Sequence, residues 1–95
     1  MLQVDDQQDT VTIQISGRFD YRMIKDFQQL LGRSPQMWIV DLGSVDYIDS
    51  SALGMLLLLR ERVHGEAQRV VLRGVHGQPR DVLVMAKFDR MFKVE

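Results

Sequence analysis

The 95-residue sequence has no cysteine and only two histidines, His64 and His76. A disulfide framework and a thiolate zinc site are therefore excluded, and two isolated imidazoles offer little to any other metal. Proline is almost as scarce, with two isolated residues, and no Gly/Ser tract, repeat or low-complexity block interrupts the chain. With nothing that reads as a linker, residues 1–95 form a single domain, large enough to bury a core and too small to divide. Long apolar runs are missing as well. The longest, Ala52 to Leu59, is broken by Gly54 and falls far short of the roughly 20 residues that span a bilayer. The start, MLQVDDQQD, has neither the basic nor the apolar stretch of a secretion signal, so the expectation is a cytoplasmic protein that needs no membrane.

Signatures of catalysis are lacking too. There is no G-x-S-x-G elbow, no glycine-rich phosphate cradle, and no spacing that brings a histidine to a serine, which argues against a hydrolase and against a nucleotide-binding enzyme. The expectation is a non-enzyme without cofactor. Asp5-Asp6 and Asp41 imitate the acidic cluster of a two-component receiver, but the alternating segment TVTIQIS follows Asp6 too closely to admit the first helix such a domain requires. A net charge of −1 argues against a nucleic-acid partner. The charge is uneven, however: residues 1–49 carry eight acids and four bases, and residues 50–95 five acids and eight bases. The bases of the second half do not form one block, as befits a solvated face.

What is present reads as alternating strands and helices. Thr10 to Ser16 alternates polar and apolar residues, as in a strand with one face to solvent, and the segment before it can pair with it as a hairpin. Asp20 is placed to cap a helix from Tyr21 to about Leu31, stopped at Gly32, with Ile24, Phe27 and Leu31 as the buried stripe. Met37 to Leu42 (MWIVDL) is apolar without alternation, which predicts a central strand covered on both faces. A helix from about Ser51 to His64, closed by Gly65, a strand at Arg69 to Arg73, a third helix with Pro79 in its first turn running to about Lys87, and an edge strand at Met91 to Glu95 complete the order. Such alternation implies an α/β domain with a mixed, mostly parallel sheet and about three helices. Ligands and partners then meet the loops at the carboxyl ends of the strands, here Gly17 to Asp20 and Asp46 to Ser51.

The second of these loops reads YIDSSALG, residues 47 to 54. Any of Asp49, Ser50 and Ser51 can cap the following helix by accepting a bond from its free amides. The same free amides and helix dipole can also stabilise a phosphate carried by a serine there. Gly54, inside the helix, marks either tight packing or the close approach of a partner. The run ALGMLLLL holds more apolar residues than one stripe can bury, so part of Met55, Leu58 and Leu59 is expected near the surface for a partner or a neighbouring helix to cover.

The segment VDLGSVDYIDSSALGMLLLL, preceded by a strand ending in SGRFD and followed by VVLRG, resembles the STAS domain of bacterial anti-sigma factor antagonists over nearly the whole chain. Its sharpest part is Asp49-Ser50-Ser51-Ala52-Leu53-Gly54, with Ala52 in place of the usual glycine. The resemblance implies a partner-switching regulator of transcription and signal transduction. Ser50 is then the residue phosphorylated by a serine kinase, often the anti-sigma factor itself, and a metal-dependent serine phosphatase removes the phosphate. Asp20 corresponds to the family's partner-contacting aspartate, and Arg18 and Phe19 would share its surface with Asp49, Ser51, Gly54 and Met55. Ser51 is the alternative acceptor, though better suited to capping. The same resemblance also admits a STAS module that is never phosphorylated and serves as a scaffold or transporter subunit.

Overall fold

The computed structural model describes residues 1–95. The chain opens with a hairpin, β1 (Leu2–Gln7) and β2 (Thr10–Phe19), antiparallel to each other. Its two-residue turn places Gln8 and Asp9 at φ 51° and 64°, the conformation whose twist matches that of paired strands. A 3₁₀ turn at Tyr21–Met23 leads into α1 (Ile24–Leu30), followed by β3 (Met37–Ile48), α2 (Ser50–Arg62), β4 (Val70–Arg73), α3 (Gly77–Met85) and β5 (Lys93–Val94). The strands lie in sequence order β1-β2-β3-β4-β5, all parallel after the hairpin. The expected mixed, mostly parallel sheet with three helices is therefore the architecture found.

This order decides where the core lies. Successive right-handed crossovers that step in one direction place α1, α2 and α3 on the same side of the sheet. Val11, Ile13 and Ile15 of β2, Trp38, Val40 and Leu42 of β3, and Val70 and Leu72 of β4 are buried on that side. Against them pack Phe27 and Leu30 of α1, Ala52, Met55, Leu56 and Leu59 of α2, and Leu83 of α3. The opposite side bears Thr12, Gln14, Ile39, Asp41 and Arg73. The expectation that MWIVDL is covered on both faces is thus corrected: Met37, Ile39 and Asp41 are only half-buried, because no helix crosses their side.

The first helix differs from its expected phase. Met23, Phe27 and Leu30 face the core in place of Ile24, Phe27 and Leu31, and Ile24 is 39% exposed. The cause is the 3₁₀ turn at Tyr21–Met23, which winds three residues per turn and so rotates the helix that follows it. β3 is irregular as well. Its pairing with β2 slips between Gln14 and Ser16 and again between Gly17 and Arg18, each time leaving an extra residue on β3. These bulges change the burial spacing from Leu42 onward, so that Val45 and Ile48 point inward, and they carry β3 well past the end of β4.

Candidate functional site

β2 and β3 end together, paired at Phe19 and Ile48, and each continues into an aspartate with extended backbone. Asp20 and Asp49 each cap the helical segment into which their strand leads. The Asp20 Oδ1 accepts from the Arg22 amide at 3.1 Å, and the Asp49 Oδ1 accepts from the Ala52 amide at 3.1 Å. Two capped joints thus lie side by side at the carboxyl end of the sheet.

The first joint is closed on itself. Asp20 is only 5% exposed, and its carboxylate accepts from the Nε and Nη2 of Arg22, both at 3.0 Å, with the Arg18 Nε 3.7 Å away. The hydrogen bonds from the Arg22 side chain hold the carboxyl below its ordinary range, against the opposing effect of burial, and the same pairing raises the Arg22 guanidinium. Arg18 also lies over the Tyr47 ring, 4.0 Å from its centre. Of the residues expected to share this surface, Arg18 is exposed, while Phe19 is fully buried and stacked on Phe27 at 5.4 Å. Phe19 alternates with exposed Arg18 on the strand, so its side chain is turned into the core and away from any partner. Asp20 presents little negative surface of its own, because two guanidiniums enclose it.

The second joint is open. Of the three candidate caps, Asp49 takes the role, and Ser51, half-buried and better suited to capping than Ser50 on the sequence, does not. Ser50 is the first residue of α2, is exposed, and its hydroxyl makes no hydrogen bond within the chain. One helical turn on, Gly54 is also exposed, and a Cβ added there would meet nothing within 4 Å. Internal packing therefore does not require the glycine. Leu57 and Leu58, 38% and 39% exposed, continue the stripe that Ser50 and Gly54 begin, at the i, i+4, i+7, i+8 spacing of one helix face. Met55 and Leu59 lie on the other face, 3% and 0% exposed. Of Met55, Leu58 and Leu59, part of which was expected near the surface, Leu58 is exposed; Met55, also expected among the partner contacts, belongs to the core because it follows the buried Ala52 by three residues, and Leu57 joins Leu58 in the surface stripe.

Gln78, which sequence reasoning passed over, completes the joint. Its Oε1 accepts from the Ile48 amide at 2.9 Å and its Nε2 donates to the Ile48 carbonyl at 3.0 Å. No local signal marks a contact across 30 residues, and beside Pro79 the glutamine reads as an ordinary first-turn residue.

The family model described as "Mlab, STAS domain" matches residues 2–94. The chain belongs to the STAS family. This STAS domain is 41% identical over 87 residues to the STAS-domain containing protein PA14_20770 of Pseudomonas aeruginosa (strain UCBPP-PA14), covering 88% of this chain and 86% of that one. Its fold is similar to that of the anti-sigma factor antagonist SpoIIAA in its unphosphorylated form, with TM-score 0.78 and 16% identity over 100% of this chain and 87% of the other. The phosphorylated form of the Bacillus SpoIIAA gives TM-score 0.77 at 17% identity, over 100% of this chain and 91% of the other. A sulfate transporter family protein of Wolinella succinogenes gives TM-score 0.77 at 18% identity, over 93% and 77%. At these identities the neighbours share the fold with this STAS domain. No helix is long and apolar enough to cross a membrane.

Proposed function

We propose that this STAS domain is an anti-sigma factor antagonist that works by partner switching. Unphosphorylated, it binds an anti-sigma factor or serine kinase through the exposed stripe of α2; phosphorylation on Ser50 releases it, and a metal-dependent phosphatase restores it. The observation that carries this reading is the exposed Ser50 hydroxyl, relieved of capping by Asp49, at the head of a helix face that bears an uncrowded Gly54 and two exposed leucines. A partner helix can approach closely where Gly54 has no side chain, and Leu57 and Leu58 supply the apolar area. A phosphate on Ser50 adds about −1.5 to −2 charges at a position preceded in sequence by Asp46 and Asp49, which repels a partner shaped to meet a neutral hydroxyl.

The test is phosphopeptide mapping of protein purified from its own cells, followed by binding of the isolated anti-sigma partner. Modification on Ser50 that Ser50→Ala abolishes and Ser51→Ala retains is the expected result, with binding by wild type and Ser50→Ala but not by the phosphoprotein. A phosphoprotein that binds as well as the unmodified form overturns the reading. The second reading, an unphosphorylated scaffold or transporter subunit, draws on the TM-score shared with the sulfate transporter family protein. It requires Ser50 to be unmodified in cells.

A further inference from the structure

β3 outlasts its neighbour on one side. Its pairing with β4 runs from Trp38 with Val70 to Asp41 with Arg73, whereas β2 accompanies it to Ile48. In a strand the N–H and C=O of one residue point to the same side, so beyond Asp41 the groups on the β4 side have lost their strand. At Ile48 the carboxamide of Gln78 replaces it, accepting from the amide and donating to the carbonyl as a neighbouring strand would. Ile48 is the last backbone unit before Asp49, whose carbonyl and Oδ1 both accept from the Ala52 amide and so start α2.

The brace is itself held in place. Gly74 sits so close to β3 that a Cβ there would come within 2.9 Å of the Gly43 Cα, and the His76 Nε2 lies 3.0 Å from the Gly43 carbonyl. Pro79, next to Gln78, is buried at the start of α3. The segment from Gly74 to Pro79 therefore grips the free edge of β3 at two points, Gly43 and Ile48.

We infer that Gln78 is a positioning residue for the Ser50 site, holding Ile48 so that Asp49 caps α2 and Ser50 is presented at a fixed orientation. The functional part of this inference rests on the proposed switch at Ser50, while its structural part can be tested without it. A protonated glutamate has the same donor and acceptor as glutamine, whereas an ionised one can only accept and would face the Ile48 carbonyl with a charge. Gln78→Glu therefore keeps both halves of the brace at acid pH and loses the donated half at neutral pH, and Gln78→Leu lacks both at either pH. His76 and Arg80 of α3, Asp46 and Asp49 beside Ile48, and Arg18, Asp20 and Arg22 of the first joint are common to wild type and variants, so their titration cancels in the comparison.

The measurement is amide hydrogen exchange by NMR, expressed as protection factors for Ile48, Ala52 and the core strand residue Val40, at about pH 4 and pH 7, below and above the ordinary glutamate value. At neutral pH Gln78→Leu should lose about tenfold in protection at Ile48 and Ala52, as expected for two hydrogen bonds, and Gln78→Glu, which keeps the acceptor but sets a charge against the Ile48 carbonyl, should lose protection at Ala52, while Val40 keeps its own in both. At acid pH Gln78→Glu should regain protection relative to Gln78→Leu; if the leucine variant fails to fold, wild type is the reference. Unchanged protection at Ala52 would overturn the inference, since the brace would then end at Ile48. So would an equal loss at Val40, which would make Gln78 a general stabiliser. An unphosphorylated Ser50 in cells would sink the switch and leave these outcomes untouched.

Discussion

At the first joint Asp20 follows the last residue of β2, and at the second Asp49 follows the last residue of β3, the two strand ends being paired to each other. Both aspartates are extended, and both accept a hydrogen bond from the turn they start. Their surroundings separate them. Asp20 is drawn in by Arg22 and Arg18 and has a buried phenylalanine on one side, whereas Asp49 makes its cap and is followed by a free serine. The same residue in the same local role thus serves to lock one loop and to free the next hydroxyl in the other. A site is identified by what its groups have left unsatisfied, not by the residue type at its centre.

The strongest way to break this contrast is to treat the first joint as a surface. Phe19→Ala should cost about 3 to 5 kcal/mol, the range for emptying a buried aromatic site, and lower the thermal midpoint by about 15 °C or more. Met55→Glu belongs with it, since a charge would be forced into the core of α2; both should be severely destabilised in thermal denaturation. Leu58→Glu, on the exposed stripe, should melt close to wild type and lose partner binding. Equal melting of Phe19→Ala and wild type would mean that the first joint opens in solution.

Acid titration sharpens the contrast next. The Asp20 carboxyl lies below its ordinary value of 3.8 because Arg22 donates to it. A carboxyl lowered by folding contributes stability that is present in full above the unfolded value and is lost as pH falls through the folded one. Melting temperature should therefore drop below about pH 4 in wild type, and Asp20→Asn should flatten part of that drop. An acid limb that survives in Asp20→Asn would remove the ion-pair account of the first joint. At neutral pH, Asp49→Ala should cost about 1 kcal/mol, the usual value of a helix cap, measurable as a shift in the urea midpoint.

These variants also mark how much could be read from the sequence. The strand and helix order was legible because each element carries its own period and stop: the alternation in TVTIQIS, Asp20 as a helix start and one of Asp49, Ser50 and Ser51 as the next, Gly65 at φ 75° after α2. The phase of α1 was not, because whether the first turn after Asp20 is 3₁₀ or α depends on how Arg22 folds back onto Asp20. The side of α2 that holds Met55 was not legible either. In ALGMLLLL nearly every position is apolar, so periodicity cannot tell the buried leucines from Leu57 and Leu58. Gln78 was invisible because its partner is a backbone unit, and backbone carries no sequence.

The smallest structural effect should come from the change with the largest functional one. Ser50→Asp places a charge at the first position of α2, where the amides of Ser50 and Ser51 point outward without an internal partner and the helix dipole favours an anion by about 0.3 to 1 kcal/mol. Asp46 and Asp49 oppose it from the preceding strand end. Asp20 does not add to this repulsion, because Arg22 and Arg18 neutralise it, and their guanidiniums soften the field on that side of the joint. The two contributions nearly cancel, so stability should stay within about 1 kcal/mol of wild type, with superimposable circular dichroism. Binding of the proposed anti-sigma partner should nevertheless fall, since the charge would have to be desolvated under an approaching helix at Gly54 and Leu57. Salt distinguishes the two ways this could happen. If repulsion by the surrounding acids dominates, raising ionic strength should restore much of the binding of Ser50→Asp. If desolvation at the contact dominates, salt should restore little, and calorimetric titration of the same variant at low and high salt reads out which.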